Sequence, residues 1–306
     1  MMTPYMLILL AVFCFAGQFA FTNLYERAVK QTMATSLVML VVTSAFGTLL
    51  YLCIGRFQIQ FSAISIFWAV MFALVMIPYY MIGIKVLSLG SLAIYSMFMM
   101  LGGMLVPFFY GVWCLKEPVS PAQGIGTVLL TGFIILQAIS QSDSNAKNGQ
   151  KQSAKIRIVF FALCLAIFLL NGLTGVIAKA HQISPQAVDE VSFTVISCAL
   201  TAVFSLIILA FTLLRERQKA HRQVIEALKI KPLWIMILIG ATAYTGNFLH
   251  LLAANDVPAS VQFPLVSGGV IVLSALVSAF LFKEKLSKKE WLSIAGAFAS
   301  TVLFAF

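Results

Sequence analysis

Residues 57–84 read FQIQFSAISIFWAVMFALVMIPYYMIGI, with no Asp, Glu, Lys or Arg in the run. A helix rises 1.5 Å per residue, so this stretch is longer than the roughly 30 Å needed to cross a bilayer's hydrocarbon core. A membrane β-strand would alternate apolar and polar positions over about ten residues instead. The segment reads as a membrane helix.

Similar runs lie on both sides of it: Met1–Tyr25, Gln31–Gly55, Val86–Leu115 and Pro118–Ser142, then Ile158–Ala178, Val191–Leu214, Pro232–Asn255, Val257–Phe282 and Trp291–Phe306. All but the last exceed the roughly 20 residues a spanning helix needs. The last is shorter, but Lys288 and Lys289 can snorkel to the interface beside it. Composition agrees, with 61% of residues apolar and only 10% charged. A water-soluble fold has no place to hide that much apolar surface. The first 25 residues lack the basic leader of a signal peptide and are expected to form the first span.

The formal net charge is +10, and the basic residues sit in short gaps between apolar runs. Topology signals and contact with anionic headgroups explain that placement, and nucleic acid is not an expected partner. The five cysteines (Cys14, Cys53, Cys114, Cys164, Cys198) fall in or beside apolar runs without metal-ligand spacing. They read as small packing residues, and neither a metal nor a cofactor is expected.

Two gaps differ from the rest. Residues 141–157, QSDSNAKNGQKQSAKIR, suit a flexible linker between two five-helix halves. Residues 215–231, RERQKAHRQVIEALKIK, carry six Lys/Arg and two Glu, with Val224, Ile225 and Leu228 at helical spacing. They fit a short amphipathic helix on the membrane surface or a solvated basic loop.

The halves also resemble each other. Residues 91–120 align with 258–287 at an offset of 167, bringing Gly102, Lys116, Glu117 and Ser120 onto Gly269, Lys283, Glu284 and Ser287. Each half holds an odd number of spans, so the second copy enters the membrane upside down relative to the first. The expected fold is an all-α integral membrane protein with ten transmembrane helices as two inverted five-helix repeats. Residues 1–142 and 158–306 form the repeats, and 143–157 the linker.

The segments GGMLVPFFYGVWCLKEPVSPAQGIG (102–126) and GGVIVLSALVSAFLFKEKLSKKEWLSIAG (268–296) each place a Lys-Glu turn between two apolar helices. In this, and in its whole span pattern, the chain resembles the EamA-type family of the drug/metabolite transporter superfamily. The resemblance implies a transporter in the cytoplasmic membrane working by alternating access. It does not specify a substrate, since members move amino acids, sugars, nucleobases, drugs and other metabolites. The chain departs from internal symmetry at Pro107, which is matched by Ser274. Orientation is contested. Sixteen basic residues fall on the side of the odd-numbered connections and three on the other, which places both termini outside. The resemblance implies cytoplasmic termini.

An unpaired polar group in lipid is costly, so those inside the spans should face protein. Candidate substrate-binding residues are Gln18 on the first span, Tyr79 and Tyr80 on the third, and Tyr95 on the fourth. In the second half they are Asn171 on the sixth span, Tyr244, Asn247 and His250 on the eighth, and Gln262 on the ninth. Each could equally serve as a helix–helix hydrogen bond. Lys85, Lys179 and His250 are the charge or coupling candidates. For the lysines the plain reading is snorkelling, and for the histidine a hydrogen bond shared with Gln262 or a backbone carbonyl. Walker loops and nucleophile–base pairs are missing, so no enzyme is expected. The function expected is movement of a small, partly apolar metabolite. A flippase for a lipid-linked intermediate and a non-transporting receptor are the alternatives, and a homodimer stays open.

Overall fold

The computed structural model describes residues 3–89, 92–145, 154–281 and 288–303. Among them are eleven α-helices and no strand. The first half holds α1 (Pro4–Ala28), α2 (Met33–Ile54), α3 (Ala63–Leu89), α4 (Leu92–Phe109) and α5 (Pro121–Asn145). A π-helical turn, Tyr110–Cys114, continues α4. The second half holds α6 (Ala154–Gln182), α7 (Glu190–Arg215), α8 (Arg217–Ala227), α9 (Ile230–Ala253), α10 (Ala259–Leu281) and α11 (Lys288–Val302).

Six of these contain stretches long and apolar enough to cross a membrane: Pro4–Ala28, Met33–Ile54, Ala63–Gly83, Ile158–Gln182, Glu190–Arg215 and Ile230–Ala253. Four more apolar helical stretches are shorter, Phe98–Cys114, Pro121–Leu136, Ala259–Ser274 and Trp291–Ser300. The chain is thus a multi-pass membrane protein. Its outer faces carry large apolar side chains that water would not tolerate in such number, among them Leu9, Phe13, Leu49, Phe211 and Leu214.

Helices start where local chemistry supplies partners for their first N–H groups. Thr32 and Thr35 form a reciprocal capping box at α2, and Asp189 accepts from the Ser192 N–H at α7 (3.0 Å). Residues 215–231 resolve in favour of a helix. Ala220 and Ala227 of α8 are fully buried beside Tyr25, and Gln223 accepts a hydrogen bond from Thr32 (3.0 Å). The expected linker is partly helical, because α5 and α6 both extend into it. Lys283, Glu284 and Ser287 lie outside the described residues.

Packing runs crosswise between the halves. α1 lies on α9 and α10, while α6 lies on α3 and α4. α2 packs on α7, α5 on α11 and α4 on α10, and α3 meets α7 as α9 meets α2. Small residues permit the tightest crossings. A Cβ on Gly102 would collide with the Phe168 carbonyl oxygen on α6, and one on Gly269 would sit 2.9 Å from Val12 on α1. Where tyrosines are buried in these crossings their hydroxyls are used. Tyr25 donates to the Thr35 carbonyl (3.1 Å) and Tyr51 to the Tyr244 carbonyl (2.8 Å).

Candidate functional site

A seam of polar side chains lines one face of α9, and Tyr80 of α3 comes within electrostatic reach of its Tyr244. Tyr244, Asn247 and His250 follow one another at three-residue spacing on α9 and so occupy one face over about 9 Å. All three are half-buried. α1 packs on a neighbouring face of α9, where Gly246 makes room for Cys14 and Phe15 and Gly17 lies 3.5 Å, at its would-be Cβ, from the Thr242 methyl. Gln18, also half-buried, stands next to that contact.

One end of the seam is built from tyrosines. Tyr79 and Tyr80 stand edge-to-face with ring centroids 5.3 Å apart. The Tyr79 and Tyr95 hydroxyls are in hydrogen-bonding contact, and Tyr80 lies within electrostatic reach of both Tyr95 and Tyr244. Tyr244 donates its hydroxyl hydrogen to Ser44 on α2 (3.3 Å). Four phenols from α3, α4 and α9 therefore share one neighbourhood.

The other end gathers amides and charges where α6, α9 and α10 converge. The His250 ring stands edge-on to Phe15 (6.2 Å) and Phe263 (5.1 Å). Its Nε2 is buried without a hydrogen-bond partner among the described residues, as is Oε1 of the fully buried Gln262. The Gln262 amide nitrogen donates to the His250 backbone carbonyl. Nearby, Lys179 Nζ donates to the Ala254 carbonyl (3.0 Å), and Gln182 donates to the Leu251 carbonyl (3.2 Å) and the Asn255 side chain (3.2 Å).

Glu117 completes this end from the other half of the chain. Lys116 adopts a left-handed backbone (φ 54°), reversing the chain after the π-helical turn. The Glu117 carboxylate then accepts from the backbone N–H of Ala259 (3.1 Å) and Ser260 (2.9 Å), the first turn of α10. A negative charge at a helix N-terminus satisfies exposed N–H groups and complements the dipole. Lys179 lies within its electrostatic reach. Gly111 leaves the room, since a Cβ there would be 2.5 Å from Glu117 Oε2.

No family model and no curated protein matches the chain. Among solved structures, one described only as "Crystal structure of protein" aligns with 98% of this chain and 95% of that chain, at TM-score 0.70 and 12% identity. At that identity the likeness speaks for the fold alone.

The sequence-predicted residues divide accordingly. Tyr79, Tyr80, Tyr95 and Tyr244 come together, and Asn247 lies between Tyr244 and His250 on the same face of α9. Asn171 turns its amide to the Met99 carbonyl on α4 (2.7 Å), a helix–helix hydrogen bond beside the seam. Gln262 pairs with the His250 backbone and not with its ring. Lys179 is half-buried, its ammonium bonded to the carbonyl that caps the C-terminus of α9, whereas Lys85 is exposed.

Two groups escaped the sequence reading. Glu117 looked like a turn residue, and nothing local reveals a partner 142 positions away. His181 is buried, with Nε2 2.9 Å from Ser65 Oγ and its ring stacked on Phe193 at 3.8 Å. Its only signal was an apolar run closing on Lys-Ala-His-Gln.

Proposed function

We propose that this chain is a ten-span transporter of the cytoplasmic membrane that moves a small, partly apolar metabolite by alternating access between two inverted halves. The observation that carries the reading is the α9 seam, a line of half-buried polar side chains with tyrosines at one end and unpartnered His250 and Gln262 atoms at the other. Buried polar atoms are mostly hydrogen-bonded in folded proteins, and these two leave a ring nitrogen and an amide oxygen for a solute to engage. Aromatic walls with a few amides suit a solute that is apolar in body and polar at one end.

Crosswise packing supports the two-half reading. Exchanging α1 with α6, α2 with α7, α3 with α9, α4 with α10 and α5 with α11 turns the principal packing relations into one another. The helix α8 has no counterpart in the first half. A duplicated unit of this kind places the solute path at the interface of its copies. The EamA-type resemblance belongs to the same proposal and rests on the sequence segments given above. No catalytic chemistry is assigned to the chain.

The test is uptake by proteoliposomes screened against pooled metabolites, then repeated with Asn247→Ala and Tyr80→Phe. Uptake of a solute by the wild-type protein, reduced at least about tenfold in Asn247→Ala with folding intact, is the expected result; a tenfold change corresponds to about 1.4 kcal/mol. Undiminished uptake in both variants removes the seam from the path.

A further inference from the structure

A second polar site lies away from the seam, where α7 ends against α8. Leu213 and Leu214 form the floor of an open groove, and Gln218, His221 and Arg222 form its wall. Those three α8 residues are spaced i, i+3, i+4 and therefore share one face. The opposite face of α8 is the one fixed to the protein, through Ala220, Ala227 and Gln223.

Two features point to what fills the groove. Along α7, Val203, Leu206, Ile207, Phe211 and Leu214 are each at least half exposed and recur at helical spacing, forming an apolar stripe that leads into it. Around the groove the chain turns basic: residues 215–231 hold six Lys/Arg against Glu216 and Glu226. Ile225 and Leu228 on α8 are exposed beside these charges, as is Trp234 on the first turns of α9. Apolar side chains, cations and an exposed tryptophan at one level mark the boundary between headgroups and acyl chains.

We propose that this groove binds one anionic phospholipid, with an acyl chain along the α7 stripe and the phosphate held by Arg222, His221 and Gln218. Charge selects the occupant. A zwitterionic lipid brings a cation into a neighbourhood that already has an excess of cations, whereas an anionic headgroup neutralises it. A free phosphate would leave the apolar stripe uncovered. The proposal rests on the bilayer setting and is independent of transport.

Native mass spectrometry of the detergent-purified protein tests it. The protein is titrated with phosphatidylglycerol or phosphatidylcholine of identical acyl chains. One phosphatidylglycerol should be retained at least about fivefold better than phosphatidylcholine, the size of effect a single well-placed cation supplies. Arg222→Ala should abolish that preference and Arg222→Lys should keep part of it. Arg56→Gln, an exposed cation on a different connection, should leave it unchanged. Phe211→Asn should weaken lipid retention while preserving charge. Equal retention of the two lipids, an unaltered preference in Arg222→Ala, or displacement of the lipid by inorganic phosphate would each overturn the proposal.

Discussion

Gly102 shows how much one absent methyl group decides in this molecule. Its backbone approaches α6 so closely that an added Cβ would collide with the main-chain oxygen of Phe168, which cannot swing aside as a side chain would. Gly124, in the first turn of α5, has nothing within 4 Å of the same position. Gly102→Ala should therefore destabilise the protein by about 1–3 kcal/mol through overpacking. Gly124→Ala should be neutral or stabilising by up to about 1 kcal/mol. Thermal unfolding in detergent compares the two directly, and equal effects would contradict the α4–α6 crossing described above. Residue type alone does not separate these glycines, since both sit in apolar helices. The distinction exists only once α6 has docked.

The start of α10 depends on a distant carboxylate. Its first N–H groups have no intrahelical acceptor, and Glu117 supplies two oxygens for them. Glu117→Ala should cost about 1–2 kcal/mol and fray the first turn of α10, which hydrogen exchange at Ala259 and Ser260 would detect. Glu117→Gln keeps an acceptor and loses the charge, so it should fall between. If hydrogen exchange at Ala259 and Ser260 were identical in all three proteins, the capping role would be excluded. The elements themselves were legible in the sequence, because apolar length without charge leaves the backbone few options besides a helix. The α8 helix was half-legible: Val224, Ile225 and Leu228 gave it an apolar face, but only the docking of Ala220 and Ala227 distinguishes it from a basic loop.

For the whole molecule, the charge distribution predicts a sidedness that can be measured. On the proposed ten-span reading, sixteen Lys/Arg residues fall on one set of connections and three on the other. The positive-inside rule then puts the C-terminus outside the cytoplasm. A C-terminal alkaline phosphatase fusion should be active and a fluorescent-protein fusion dark, and the reverse would show that the charge bias does not set the topology. The partly legible site has the same origin as the partly legible fold. Tyr80, Asn247 and His250 stood out because polar groups in apolar helices demand partners. Which partners they face depends on pairings such as α1 with α9, between residues more than two hundred positions apart. Local patterning carries no record of such distances.

The crosswise arrangement also governs how the chain must be made. When α1 and α2 leave the ribosome, the surfaces they will rest against, on α7, α9 and α10, have not yet been translated. The early helices must wait in the bilayer with their glycines and hydroxyls uncovered, open to capture by strangers or by chaperones. Translation of α7, α9 and α10 thus closes the assembly around the helices made first.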